Sequence, residues 1–277
     1  MSALPPGLDP AAVRAVAMDL DHTILPDSLE FSPALVRAVG RIRAAGIEAI
    51  VATGRMFASA RPYAVQLGIT APVICYQGAL VADPASGEWL LHRPMDVPLA
   101  HEVIEAVSAA GFHMNVYVDD KLFVEELNEE AVTYARHARL EAHAVGNLLK
   151  WLDRPTTKIV VVGEPEELDR LQDGLRAHFD GRAFIAKSLP IFLELAQPGV
   201  SKGAALDFVC GRLGIDPATV VAFGDGANDV ELLEAAGLGV AVSGGDAALR
   251  RVAAWTVPSV DEDGVAGFLD ALVDSRP

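Results

Sequence analysis

Short apolar runs alternate with helix-like segments along this chain, and this alternation limits the possible folds more than any other sequence feature. The apolar run that ends at Met18 precedes a helical segment from Pro33, and the run 47–52 precedes another helical segment at 57–67. This order is typical of a largely parallel sheet covered by helices. We therefore predict an α/β fold with a doubly wound, mainly parallel core sheet.

The pattern changes in the middle of the chain. A turn cluster at 83–87 is followed by shorter strands that contain more polar and aromatic residues, and long apolar strands and helices return after Ser201. We predict a discontinuous core of residues 1–84 and 189–277, with an inserted α/β domain at residues 85–188.

The charge balance excludes several classes of partner. The 277 residues include 22 Lys and Arg against 38 Asp and Glu, a net charge of −16. Nucleic acids and anionic membranes bind cationic surfaces, so we expect neither as a partner.

No apolar run approaches the roughly 18 residues of a membrane span. The N-terminal residues lack the basic start and apolar core of a secretory signal. Cys75 and Cys210 lie in apolar runs without metal-ligand spacing, so we expect reduced thiols and a soluble, cytoplasmic protein. Nothing in the sequence indicates the oligomeric state.

Four polar clusters lie where strands end or helices begin. They are Asp19-Leu20-Asp21-His22-Thr23, Thr53-Gly54-Arg55, Ser201-Lys202-Gly203 and Gly224-Asp225-Gly226-Ala227-Asn228-Asp229. In doubly wound sheets, ligands bind beyond the carboxyl ends of the strands. The third cluster opens a helix, where free backbone amides favour an anion. One such cluster is common, but the combination supplies what phosphoryl transfer through an aspartyl intermediate requires.

Asp19 and Asp21 form a carboxylate pair. One carboxylate can attack phosphorus, while the other can protonate the leaving group and then activate water. The alternative, that the pair only caps a turn, is weakened by the preceding apolar strand and the following Thr23.

The other clusters supply ligands for metal and phosphate. Asp225 and Asp229 offer the hard oxygen atoms that Mg²⁺ prefers, although Asp225 could simply end a strand and Asp229 could cap the next helix. Lys202 would neutralise phosphate, and Thr53 would donate a hydrogen bond to a phosphoryl oxygen. A lone lysine usually lies at the surface, so Lys202 is informative only through its neighbours.

These clusters together resemble the four motifs of the haloacid dehalogenase-like (HAD) superfamily, and within it the Cof-like phosphatases. The matching segments are MDLDHTIL, VATGR, VSKGAAL and FGDGANDVELLEAAGLGVAV. The resemblance implies a Rossmann-like core, Asp19 as nucleophile and Asp21 as general acid and base. It also implies Mg²⁺ held by Asp19, the backbone carbonyl of Asp21, and Asp225, with Asp229 nearby. Thr53, Gly54, Lys202 and Asn228 fall on the phosphate-binding positions.

The resemblance extends to the insert and to the class of reaction. Cof-like proteins carry an α/β cap that contacts the substrate beyond its phosphate. Transporting ATPases carry Thr at the position of Asp21 and dehalogenases lack that carboxylate, so Asp21 indicates a phosphatase or a phosphomutase. Three sites depart from the family pattern. One is the segment Ser243-Gly244-Gly245, a loop variation where the family often has Asn. His22 replaces the usual Gly without an expected change in chemistry, and Gln77 replaces the usual Asn near the active-site mouth.

We predict a phosphatase of small phosphorylated metabolites such as sugar phosphates, nucleotides or phosphorylated cofactors. A phosphomutase or phosphotransferase that uses the same intermediate is the alternative, and a non-catalytic binder of phosphorylated ligands is a third. Weaker predictions concern other side chains. Arg55 faces the site or forms a structural ion pair, Glu194 serves a structural hinge, and His113, Asn115 and Tyr117 share one strand face that is either a pocket lining or solvated.

Overall fold

The chain folds into two compact units. The computed structural model describes residues 4–138 and 140–277. The first unit contains the segment that ends at Arg55, together with Ala60–Leu90 and Ser201–Pro277. The second unit contains Met56–Ser59 and Leu91–Val200. Residues 1–3, at the start of the stretch that lacks signal-peptide character, lie outside the described residues.

Strands and helices alternate in the described part of the chain. The strands are β1 (Ala15–Met18), β2 (Glu48–Val51), β3 (Val73–Cys75), β4 (Leu80–Ala82), β5 (Trp89–His92), β6 (His113–Val118), β7 (Lys121–Val124), β8 (Ala142–Ala144), β9 (Lys158–Val162), β10 (Phe184–Leu189), β11 (Phe192–Ala196), β12 (Val220–Gly224), β13 (Leu238–Val242) and β14 (Trp255–Val257). The α-helices are α1 (Pro33–Ala44), α2 (Phe57–Gln66), α3 (Val97–Ala109), α4 (Glu129–Ala138), α5 (Leu148–Trp151), α6 (Pro165–Phe179), α7 (Lys202–Leu213), α8 (Val230–Ala235), α9 (Ala247–Val252) and α10 (Gly264–Asp274).

The first unit is built on a parallel sheet with the strand order β14-β13-β12-β1-β2. The residues of β12, the central strand, and of its neighbour β1 are buried throughout, which explains their continuous apolar sequence. A three-stranded sheet of β3, β4 and β5 accompanies it, and a parallel bridge joins Ala52 to Ile74 of β3. The predicted α/β fold with a mainly parallel core sheet is confirmed.

Helix α1 illustrates how the sequence sets the local structure. The Ser32 hydroxyl accepts a hydrogen bond from the Leu35 amide at 3.0 Å, and Pro33 occupies the first turn. The helix buries a stripe that consists of Leu35, Ala38, Val39 and Ile42. It ends before Gly46, whose φ of +75° suits a residue without a Cβ.

The second unit contains a six-stranded sheet with the order β10-β11-β9-β6-β7-β8. One face carries the apolar residues of β6, β9 and β11, which pack with α3 and α6 in a buried core. Strand β11 pairs antiparallel with both β9 and β10. This pairing carries the second unit to Val200, beyond residue 188, where the sequence places the end of the insert.

The opposite face of β6 is also buried. Asn115 and Tyr117 are 0% and 2% exposed, so the interpretation of a solvated face is wrong for these two residues. The Tyr117 hydroxyl lies 2.6 Å from the Tyr134 hydroxyl of α4. Glu194 lies within β11 of the same sheet, where its Oε1 is 3.2 Å from Lys158 Nζ.

None of the helices in the described ranges combines the length and the apolar character needed to cross a bilayer.

Candidate active site

The register of the parallel sheet brings two of the polar clusters together. Met18 pairs with Phe223 on one side and with Val51 on the other. The next residue, Asp19, donates its backbone N–H to the Phe223 carbonyl at 3.0 Å. Asp19 and the 224–229 loop therefore begin side by side at the carboxyl edge of the sheet, where ligands bind in this class of fold.

The Lys202 side chain lies between the carboxylates of Asp19 and Asp229. Ser201 caps α7 by accepting a hydrogen bond from the Ala204 amide at 3.1 Å, which places Lys202 in the first turn, fully buried. Its Nζ donates to Asp19 Oδ1 and to Asp229 Oδ1, both at 2.6 Å. Burial disfavours the ammonium ion, but the two carboxylates outweigh this effect and raise the pKa of Lys202. Lys202 is therefore a fixed positive charge.

Asp229 holds the fourth cluster in shape. Its Oδ2 accepts hydrogen bonds from the backbone N–H groups of Asp225 and Gly226, at 3.2 and 3.0 Å. The simpler sequence interpretation, in which the Asp229 side chain caps α8, is wrong, because this side chain makes no capping hydrogen bond to α8. Position 224 requires Gly, because a Cβ there would clash with the Asp229 Cβ at 2.5 Å.

Three carboxylates form a group that fits a metal ion. One oxygen each from Asp19, Asp225 and Asp229 lies within 4.8 Å of the others. Burial, followed by the neighbouring carboxylates, raises the pKa of Asp19 well above its usual value despite the opposing effect of Lys202. Burial and the charge of Asp229 raise the pKa of Asp225 to about 6, although the Thr23 hydroxyl donates to Asp225 Oδ1 at 2.7 Å. A divalent cation would offset this crowding of negative charge, and carboxylate oxygen is the donor type it prefers.

The carboxylate of Asp21 does not join this group but binds Arg55. Arg55 donates Nε–H to Asp21 Oδ2 at 2.8 Å and a terminal N–H to Asp21 Oδ1. The guanidinium carbon also lies 5.1 Å from the centre of the Tyr63 ring. Both sequence interpretations of Arg55 therefore apply, because its ion pair is made with a predicted catalytic residue. Within the described residues, the Asp21 carboxylate is not part of the metal-ligand group.

Three of the four predicted phosphate-binding residues, all except Lys202, form a second group. Thr53 is buried, and its hydroxyl accepts a hydrogen bond from the Arg55 amide at 3.1 Å. Gly54 lies against the Gln77 side chain, and a Cβ on Gly54 would be 2.5 Å from Gln77 Nε2. Asn228 Nδ2 donates to Gln77 Oε1 at 3.1 Å. Gln77 thus links Gly54 and Asn228, a connection that the sequence does not reveal.

Two residues of the first cluster have roles that only the fold makes visible. The Thr23 hydroxyl orients Asp225 by donating a hydrogen bond to Asp225 Oδ1. In the sequence, the only indication of this role is the position of Thr23 two residues after Asp21. His22 adopts a φ of +58°, a conformation that Gly reaches at little cost. This φ explains why Gly is usual at that position, and His22 occupies it with Nδ1 3.6 Å from Asp27 Oδ1.

Known proteins are similar to this chain over most of its length. The family model described as haloacid dehalogenase-like hydrolase matches residues 16–269. The 5-amino-6-(5-phospho-D-ribitylamino)uracil phosphatase YitU of Bacillus subtilis is 28% identical over 261 residues, 92% of this chain and 95% of that protein. The pyridoxal phosphate phosphatase YbhA of Escherichia coli is 29% identical over 272 residues, 92% of this chain and 97% of that protein.

Solved structures show the same fold. TM0651 from Thermotoga maritima superposes with a TM-score of 0.82 at 31% identity, covering 93% of this chain and 97% of that chain. The family model spans most of the first unit and all of the second. The chain is thus an enzyme of the haloacid dehalogenase-like hydrolase family, and the phosphatases named above are similar to it over nearly their full length.

Proposed function

We propose that this enzyme is a Mg²⁺-dependent phosphatase that hydrolyses small phosphorylated metabolites through an aspartyl-phosphate intermediate on Asp19. One observation carries the proposal: the buried Lys202 ammonium binds Asp19 and Asp229 at 2.6 Å each, within a group of three carboxylates. A fixed cation beside a carboxylate nucleophile stabilises the negative charge that accumulates during phosphoryl transfer.

In the first step Asp19 attacks the phosphorus atom. Lys202 binds Asp19 Oδ1, so Oδ2 is the attacking oxygen. A bond forms between Asp19 and phosphorus, and the bond from phosphorus to the ester oxygen breaks. Asp21 gives its proton to the departing ester oxygen, which leaves as an alcohol. The protonated Asp21 must have released at least one of its hydrogen bonds from Arg55 in order to donate.

In the second step water attacks the phosphorus atom of the aspartyl phosphate. Asp21, now a carboxylate, removes a proton from this water, and the bond between Asp19 and phosphorus breaks. Inorganic phosphate leaves and both carboxylates return to their starting states. Both Asp21 oxygens accept hydrogen bonds from Arg55, and this contact would hold the Asp21 carboxylate in one orientation during the second step.

Mg²⁺ would be held by Asp19, Asp225 and Asp229, with Asp21 contributing its backbone carbonyl, and it would neutralise charge on the phosphoryl oxygens. Thr53, Gly54 and Asn228 would bind the phosphoryl group from the side of the second and fourth clusters.

The relatives support the choice of substrate class. Two of them are named for 5-amino-6-(5-phospho-D-ribitylamino)uracil and for pyridoxal phosphate, both small phosphate monoesters. We extend this class, without a choice of compound, to the present enzyme.

The test is phosphate release from a panel of phosphate monoesters, with and without Mg²⁺, alongside the Asp19→Asn variant. The panel should contain sugar phosphates, nucleotides and phosphorylated cofactors. We expect release that needs Mg²⁺ and is lost in Asp19→Asn. Absence of free phosphate, with an isomerised sugar phosphate as product, would replace the proposal by a phosphomutase. Release that persists in Asp19→Asn would remove the aspartyl mechanism.

A further inference from the structure

The turn after β3 has an unusual backbone. Tyr76, Gln77 and Gly78 have φ values of +51°, +58° and +99°, so two consecutive residues with side chains adopt the left-handed conformation. Both are buried, Tyr76 at 0% and Gln77 at 4% exposure. Such residues are strained and persist where the surroundings fix them, often at functional sites.

Contacts from the catalytic clusters fix this turn. Tyr76 donates its backbone N–H to the Arg55 carbonyl at 2.9 Å, and Gln77 donates its own to the Thr53 carbonyl at 3.2 Å. On the other side, a Cβ at Gly78 would lie 2.1 Å from the Ser201 carbonyl oxygen. The turn is therefore held between the second cluster and the residue that caps the Lys202 helix.

The strained backbone aims the Gln77 side chain at two phosphate-binding positions. Gln77 Oε1 accepts the hydrogen bond from Asn228 Nδ2 at 3.1 Å, and Gln77 Nε2 occupies the space where Gly54 would carry a Cβ. With Nδ2 bound to Gln77, Asn228 Oδ1 turns towards Gly226, where a Cβ would be 2.3 Å from it. One amide thus fixes the orientation of another and also borders the Gly54 backbone.

We infer that Gln77 is a positioning residue for phosphate binding, which acts by orienting the Asn228 amide. This inference rests on the proposed phosphatase function and deepens it. The length of the side chain matters. An Asn at position 77 would be shorter by one C–C bond of about 1.5 Å, and on the same backbone its carbonyl would lie beyond hydrogen-bond distance of Asn228.

The test compares four variants: Gln77→Met, Gln77→Asn, Asn228→Ala, and the double variant that combines Gln77→Met with Asn228→Ala. Met has a similar length but cannot accept the hydrogen bond, while Gln77→Asn keeps the amide and loses its reach. We would measure kcat and KM for p-nitrophenyl phosphate, the inhibition constant of inorganic phosphate, and the thermal midpoint of each protein.

We expect Gln77→Met to weaken phosphate inhibition about tenfold, since one hydrogen bond to a positioned group is lost. Gln77→Asn should show a similar loss. The double variant should be no weaker than Asn228→Ala alone, because Gln77 acts through Asn228. The thermal midpoint reports any purely structural effect.

Phosphate inhibition that is unchanged in both Gln77 variants, or losses from Gln77→Met and Asn228→Ala that multiply in the double variant, would overturn the inference. A fall in thermal midpoint with unchanged inhibition would also overturn it and leave Gln77 a structural role. Failure of the proposed function would look different, because the wild-type enzyme would then release no phosphate. Calorimetric titration with inorganic phosphate would in that case replace the inhibition constant as the measure for Gln77.

Discussion

Arg55 binds both carboxylate oxygens of Asp21, with Nε 2.8 Å from Asp21 Oδ2. The two residues come from separate strand ends, since Asp21 follows β1 and Arg55 follows β2. A two-bonded guanidinium fixes the plane of a carboxylate as well as its position. Arg55 therefore fixes the orientation of the Asp21 carboxylate, which in the proposed mechanism accepts a proton from water.

Replacement of Arg55 should slow the hydrolysis step more than the attack of Asp19. In Arg55→Met, Asp21 loses its orientation as a base, so the phosphorylated enzyme should accumulate. We expect a burst of p-nitrophenol in rapid mixing, followed by a steady rate at least about tenfold below that of wild type. Arg55→Lys keeps the charge without the forked geometry and should be intermediate. An unchanged steady rate in Arg55→Met would contradict this role.

The sequence predicts the strand-end clusters well, because apolar strands of a parallel sheet place the following residues at one edge. It does not predict the partner of Arg55, since the direction of a long side chain depends on what surrounds it. The left-handed turn at Gln77 is equally hidden, because neither Tyr nor Gln is a typical turn residue. The second unit extends beyond the predicted insert for another reason: every residue of strand 192–196 is buried, so its sequence does not reveal which sheet it joins.

Removal of the buried lysine should affect both activity and stability. Lys202→Met leaves Asp19 and Asp229 uncompensated in a buried site, so we expect a loss of about 3–5 kcal/mol in the free energy of unfolding. Phosphate release should fall at least about 100-fold. Urea unfolding at neutral pH without Mg²⁺ measures the first effect. Adding Asp19→Asn to Lys202→Met should restore part of the stability. A double variant less stable than Lys202→Met would argue against charge repulsion as the cause.

Two glycines provide a matched pair of variants. Gly54→Ala places a Cβ 2.5 Å from Gln77 Nε2 and should lower stability by about 1–3 kcal/mol while weakening phosphate binding. Gly40 lies in α1, and a Cβ added there would meet nothing within 4 Å. Gly40→Ala should therefore raise stability by about 0.5–1 kcal/mol and leave activity unchanged. Thermal unfolding and phosphate inhibition of the two variants test both expectations, and equal effects would refute the steric explanation.

The raised pKa of Asp225 should make Mg²⁺ stabilisation depend on pH. Its folded pKa of about 6 lies above the ordinary value of 3.8, so the protonated form contributes stability that is lost as the pH rises through about 6. Mg²⁺ binds the ionised form, so its addition should raise the thermal midpoint by several degrees at about pH 7.5 and much less at about pH 5. In Asp225→Asn the rise at the higher pH should be small. Equal rises at both pH values in the wild type would show that Asp225 does not control binding.

Variants of the buried ion pair Lys158 and Glu194 should change the free energy of unfolding of the second unit. Their side chains are 5% and 6% exposed, and Lys158 Nζ also lies 5.4 Å from the centre of the Tyr117 ring. Lys158→Met alone leaves a buried carboxylate without its ion pair and should cost about 3–5 kcal/mol. The double variant Lys158→Met, Glu194→Leu removes both charges and should recover most of this loss, because desolvation offsets much of the attraction in a buried pair. Chemical unfolding of the three proteins measures the coupling. If the double variant is as unstable as the single one, the pair is held by contacts other than its mutual charge.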